Sequence, residues 1–105
     1  MSYFEKMKNL MYGKDLKGIE EWLHDDFLFV ADYELMNRDD WLINTAKEFG
    51  QSIIGLYDPK CLLENEHILV FEGQRQYEGN QVLYTTSINF RERKVWRTLV
   101  NRIPL

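Results

Sequence analysis

Apolar residues fall at helical spacing through the first part of the chain and crowd into short, dense runs thereafter. Tyr3, Phe4, Met7, Leu10 and Met11 share one helical face while Glu5, Lys6, Lys8 and Asn9 fill the other, which predicts an amphipathic helix. Gly13 is expected to end it in the left-handed C-terminal conformation that glycine enters without strain. Asp15 is placed to cap a second helix with the stripe Leu16, Ile19, Trp22 and Leu23. From Phe27 to Tyr33 the run is aromatic, branched and too short for a helix, so it reads as a strand. Asn37, with Asp40 three residues on, resembles a capping box that uses Asp in place of Glu or Gln. The third helix that follows has the face Trp41, Leu42, Thr45, Ala46 and Phe49 and closes at Gly50.

Beyond Gly50 only strands are expected. One begins near Ser52, is interrupted by a bulge or bend at Asp58 and Pro59, and resumes through Cys61, Leu62 and Leu63. After a turn at Glu64, Asn65 and Glu66, a strand runs from His67 to Tyr77, Gly79 and Asn80 form a two-residue hairpin turn, and the next strand covers Gln81 to Phe90. A charged turn, Arg91 to Lys94, leads into the last strand, Val95 to Ile103. Helices first and a long meander afterwards indicate an α+β fold, with a curved, mainly antiparallel sheet wrapped around three N-terminal helices.

At 105 residues the chain is read as a single domain spanning residues 1–105. Its hydrophobic content of 45% is ample for one core. The net charge of −4 is spread along the sequence and provides no basic face, so no nucleic-acid partner is expected. Cys61 is the one cysteine, which excludes an intramolecular disulfide and suits a reducing cytoplasm. No run approaches the roughly 18 apolar residues of a membrane span, and a cytoplasmic protein without a membrane partner is expected.

Asp15, Leu16, Gly18, Ile19, Leu23, Asp25, Asp26 and Phe27, followed by Arg38 and Trp41, form a pattern that resembles the nuclear transport factor 2-like (NTF2-like) superfamily. The SnoaL-like polyketide cyclase and ketosteroid isomerase branches are the nearest in pattern. Tyr77, Glu78, Gly79 and Asn80, and the strand Ile88, Asn89 and Phe90, fit as well. The resemblance implies a cystatin-like, cone-shaped half-barrel with a cavity between the helices and the concave face of the sheet. It also implies a homodimer formed through the sheet's outer face.

A turn at Gly79 and Asn80 pairs Tyr77 with Val82, Arg75 with Tyr84, Gly73 with Thr86 and Phe71 with Ile88. Opposed residues share a face, so Phe71, Tyr77, Val82, Tyr84, Ile88 and Phe90 are expected inside. Gly73 would leave a void opposite Thr86. Arg75 would carry a charge toward the cavity, paired with a ligand anion or with Asp32 or Glu34, or else reach solvent along its stem. The last strand has two phases. An odd loop sends Trp96, Thr98, Val100 and Arg102 inward; a four-residue loop sends Val95, Arg97, Leu99, Asn101 and Ile103 inward; the resemblance favours the first. Val95, Leu99 and Ile103 would then join Ile68 and Val70 in an outer apolar patch suited to a symmetric dimer.

The chemistry of ketosteroid isomerases uses a carboxylate base on the first strand and two oxyanion donors, a tyrosine and a protonated aspartate. The matching positions hold Ala31, Met7 and Ile88, so that reaction is not expected. Asp32 or Glu34 would replace the base only if a bulge turned one inward. His24, Asp25, Asp26 and His67 carry metal-ligand atoms but read as helix-end and strand-start residues, and no metal or cofactor is expected. Neither histidine reads as a catalytic base, and Cys61 has no nucleophile motif. The expected function is binding of a small acidic or polar-apolar ligand in an aromatic cavity lined by Trp22, Phe29, Trp41, Arg75, Tyr84, Thr86, Trp96 and Thr98, with Arg75 or Arg102 selecting an acidic group. The alternatives are a lyase, isomerase or cyclase using Asp32 or Glu34, and a non-catalytic dimerisation module.

Overall fold

The computed structural model describes residues 1–51 and 56–105. Ser52, where a strand was expected to begin, lies outside the described residues. Three helices, α1 (Tyr3–Tyr12), α2 (Leu16–Trp22) and α3 (Arg38–Gly50), pack on six strands among those described. The strands are β1 (Leu23–Ala31), β2 (Glu34–Asn37), β3 (Tyr57–Glu64), β4 (Ile68–Tyr77), β5 (Asn80–Arg91) and β6 (Lys94–Pro104). Their order across the sheet is β2-β1-β6-β5-β4-β3, antiparallel except for the parallel β1–β6 pair. The α+β half-barrel expected from the sequence is therefore the fold.

Helix starts are fixed by side chains that take up otherwise unpaired amides. Ser2 Oγ accepts from Glu5 N at 3.0 Å, Asp15 Oδ1 from Gly18 N at 2.9 Å and Asn37 Oδ1 from Asp40 N at 2.9 Å. A further cap on α1 comes from far along the chain: Glu64, expected in a turn but found as the last residue of β3, accepts from Tyr3 N at 3.0 Å and Phe4 N at 3.3 Å. At the other end of α1, Gly13 is right-handed (φ −77°) and Lys14 takes the left-handed conformation (φ 51°). Gly13 is required for a different reason, since a Cβ there would sit 2.8 Å from the Asn9 carbonyl oxygen.

The strand expected at Phe27–Tyr33 starts earlier and stops sooner. His24, Asp25 and Asp26 belong to β1, where pairing with β6 is irregular between Leu23 and Leu28. Asp32 (φ 50°) and Tyr33 form a tight turn into β2, a strand not read from the sequence. Asp58 (φ 47°) and Pro59 do make a bulge, and β3 is an edge strand, where the missing amide of proline is tolerated.

The β4–β5 turn is Glu78–Gly79, both at positive φ (51° and 81°), so that Tyr77 pairs with Asn80, Arg75 with Val82, Gly73 with Tyr84 and Phe71 with Thr86. The expected turn was one residue later, which moves every partner by two. A two-residue shift leaves each side chain on its face. Phe71, Val82, Tyr84, Ile88 and Phe90 are accordingly buried.

The last strand combines both expected phases. Glu92 and Arg93, both at positive φ (54° and 64°), make a two-residue turn that sends Val95 inward. Asn89 then pairs with Arg97 whereas Phe90 pairs with Val95, so Trp96 is the extra residue of a β-bulge. Beyond the bulge Thr98 and Val100 point inward and are buried, while Leu99 and Ile103 are exposed on the outer face.

Candidate functional site

The concave face of the sheet and the three helices enclose a cavity of about 390 Å3. Its apolar wall joins Met7 and Leu10 of α1, Trp22 of α2 and Trp41 of α3 to Phe27, Phe29, Phe71, Ile88 and Val95 of the sheet. Trp41 meets Phe27 edge-on at a centroid distance of 5.4 Å, and Trp22 packs on Phe90 at 5.7 Å. Trp22 is 7% exposed and its indole N–H has no hydrogen-bond partner among the described residues, an unsatisfied donor in the wall of an open cavity.

Polar side chains gather where the ends of β4 and β6 and the start of β5 face β2 and α3. Glu34, Asn44, Glu48, Arg75, Tyr77, Tyr84 and Arg102 all line the cavity there. Arg75 Nη2 donates to Glu48 Oε1 at 3.3 Å, tying β4 to α3. Arg102 Nη1 lies 2.8 Å from Asp32 Oδ2 and 3.1 Å from Glu34 Oε1, tying β6 to the β1–β2 turn. Both guanidiniums flank the ring of Tyr84, at 5.6 Å for Arg75 and 5.5 Å for Arg102, and Arg102 also lies 4.5 Å from the Tyr77 ring.

The charges at this end set the protonation of their neighbours. Burial works against the Arg102 charge, but the hydrogen bond to Asp32, the contact with Tyr84 and the charge of Glu34 outweigh it and raise its pKa. Arg102 favours ionisation of the Tyr77 hydroxyl, yet burial with Glu34 and Glu78 prevails and lifts that pKa above the ordinary 10.0.

Of the residues expected to line the cavity, Trp22, Phe29, Trp41, Arg75, Tyr84, Thr86 and Thr98 do so. Trp96 does not. The bulge places it between two guanidiniums, with Arg97 at 4.0 Å and Arg91 at 5.2 Å from its ring. The void expected at Gly73 is also absent, because Leu56 fills it: a Cβ on Gly73 would lie 2.6 Å from Leu56 Cβ. Arg75 pairs with Glu48 and not with Asp32 or Glu34, which serve Arg102 instead. Glu34 lines the cavity and Asp32 does not. Glu48 and Asn44 were not anticipated, although their spacing from Trp41 and Thr45 sets them beside the buried face of α3.

Met7 and Ile88 contribute only hydrocarbon and sulfur surface to the cavity, and Ala31 is fully buried. His24 is in a strand and largely buried, with Nδ1 accepting from Asp26 N at 3.0 Å, whereas His67 is exposed. Among the described residues no three His, Cys, Asp or Glu side chains are arranged to hold a metal. Cys61 is exposed on edge strand β3. No helix among the described residues is long and apolar enough to cross a membrane.

A half-barrel whose helices cover a cavity on the concave face defines a general class of pocket-bearing α+β domains. Within that class the fold is NTF2-like. A protein from Sphaerobacter thermophilus superposes with a TM-score of 0.74 at 11% identity, over 98% of this chain and 97% of that one. An NTF2-like protein of unknown function from Cytophaga hutchinsonii gives 0.69 at 15% identity, over 95% and 96%. A LEH-like epoxide hydrolase from M. tuberculosis gives 0.67 at 8% identity, over 95% and 79%. No protein-family model matches the sequence, and a search of curated proteins finds no match.

Proposed function

We propose that the chain is a small-molecule-binding domain that takes a largely apolar, ring-bearing ligand into its cavity. The observation that carries this reading is the cavity itself, whose 390 Å3 lies within the 300–1,000 Å3 usual for ligand sites. Trp22, Phe29, Trp41, Thr86 and Thr98 would contact the apolar body, and Arg75 and Tyr84 would meet its polar end. The test is titration with the neutral fluorophore N-phenyl-1-naphthylamine. Enhanced, saturable emission is expected, abolished in Thr86→Trp and reduced in Thr98→Phe, both of which fill the cavity. Unchanged emission in folded forms of both variants overturns the reading.

A catalytic role is the second reading, and the placement of Glu34 in the cavity wall favours that residue over Asp32 as its acid or base. We also propose a homodimer through the outer sheet face. Leu35, Val30, Leu99, Ser87, Val70 and Leu63 are successive cross-strand partners and so form one row, apolar except for Ser87, across the six described strands. Leu35, Leu99 and Leu63 are 69%, 48% and 51% exposed, more apolar surface in line than scattered exposure explains. Sedimentation should give a dimer that Leu99→Glu converts to monomer; a monomer in the unsubstituted chain refutes it. We assign the domain to the cytoplasm, without nucleic-acid or membrane partners.

A further inference from the structure

Thr45, Thr86 and Thr98 are the buried polar residues among those described, and all three line the cavity. Two of them stand at the centre of the concave face, away from the charged end. Thr86 of β5 lies between its cross-strand partners Phe71 of β4 and Val100 of β6, and Thr98 of β6 lies between Ile88 of β5 and Phe29 of β1. The two threonines are diagonal neighbours on one face, a separation of about 7–8 Å that a single ring system spans. Neither hydroxyl has a hydrogen-bond partner among the described residues, and neither oxygen is sealed off as Trp22 Nε1 and Arg102 Nε are, so both open on the cavity.

Packing alone does not require these hydroxyls. A valine at either position would fill nearly the same space, suit a strand equally well and avoid desolvating a polar group. We infer that the ligand carries an uncharged oxygen, a hydroxyl or a carbonyl, on the part of its ring body that lies over Thr86 and Thr98. This rests on the cavity being a ligand site. A threonine hydroxyl both donates and accepts, so it suits an alcohol, a phenol or a ketone. It brings no charge, and Phe29, Phe71, Ile88 and Val100 bring none either. An ionised group held over this pair would therefore lose its water without gaining a counter-charge. The charged end of the cavity does not alter that selection, because Glu34 and Glu48 there balance Arg75 and Arg102.

The test uses three probes that share one ring system: 2-naphthol, 2-methylnaphthalene and 2-naphthoate. Each competes against N-phenyl-1-naphthylamine on the full chain at pH 7, in the unsubstituted protein and in Thr86→Val and Thr98→Val. At least one variant is expected to lower the affinity of 2-naphthol relative to 2-methylnaphthalene by about three- to tenfold, the worth of one hydrogen bond, without a lower Tm. The affinity of 2-naphthoate relative to 2-methylnaphthalene should change by less than about twofold. A naphthol-to-methylnaphthalene ratio unmoved in both variants overturns the proposal and leaves the cavity reading standing, and a lowered Tm with that unmoved ratio shows that the hydroxyls serve the fold instead. A loss for naphthoate as large as that for naphthol overturns the uncharged assignment. Failure of the fluorophore itself to bind overturns both readings.

Discussion

Replacing Glu64 should weaken the protein at a place far from Glu64 in sequence. Its two carboxylate oxygens accept from Tyr3 N at 3.0 Å and Phe4 N at 3.3 Å, so one side chain satisfies two of the first amides of α1 and places negative charge at the positive end of the helix. Loss of a capping acceptor costs about 0.5–2 kcal/mol, and the charge at the helix terminus contributes about 0.3–1 kcal/mol more. Glu64→Ala is therefore expected to cost about 1–3 kcal/mol. Glu64→Gln keeps one acceptor and loses the charge, and should cost about 1 kcal/mol or less. At about 4–8 °C per kcal/mol for a domain near this size, the alanine variant melts roughly 5–20 °C lower. Urea unfolding followed by far-UV circular dichroism reads both changes, and the Glu-to-Gln difference should diminish in high salt. Because α1 brings Met7 and Leu10 to the cavity, fluorophore affinity should fall in the alanine variant as well. An alanine variant within about 0.5 kcal/mol of the unsubstituted protein would refute the capping role, since that is the range of an ordinary exposed carboxylate.

Gly73→Ala should cost about 1–3 kcal/mol, as expected of an overpacked site, because its methyl would meet Leu56 Cβ at 2.6 Å and the Tyr57 carbonyl oxygen at 3.2 Å; a neutral urea midpoint would show that Leu56 moves aside freely. Stability should be complete below the ordinary tyrosine pKa of 10.0 and fall as pH rises through it, because Tyr12, raised by burial and Asp58, and Tyr77, raised as described, both hold protons more tightly when folded. Tyr12→Phe with Tyr77→Phe should flatten that alkaline decline, and an unchanged slope would locate it elsewhere. Trp96→Ala should leave fluorophore affinity within about twofold, whereas Trp41→Ala should lower it, in line with their positions outside and inside the cavity; the reverse ranking would mean that the bulge is absent in solution.

The helices and the fold class were legible because their signals are local. N-caps at Asp15 and Asn37 and stripes at helical spacing act within a few residues, and both predicted N-caps are made. Strand faces survived a wrong turn assignment because the error moved register by an even number. The phase of β6 was not legible in the same way, since it changes at the bulge at Trp96, where the indole meets Arg91 and Arg97 from two strands. Charge pairing failed for a related reason. Arg75 and Glu48 are separated by 27 residues, and Arg102 and Asp32 by 70. Nothing in the spacing distinguishes which acid meets which arginine until β2 and α3 are placed.

The parallel ladder between β1 and β6 has a kinetic consequence. It runs from Leu28 beside Arg97 to Ala31 beside Val100, and it is the seam that joins the β1–β2 hairpin to the meander β3–β6. During synthesis the N-terminal helices and Phe27 therefore emerge well before the strand that completes their half of the sheet. Local hairpins can zip early, but this seam must close a loop spanning most of the chain, the kind of contact that slows folding and prolongs exposure of apolar surface. Closure of the β1–β6 seam is therefore the expected late step of folding, after the local hairpins of the meander have formed.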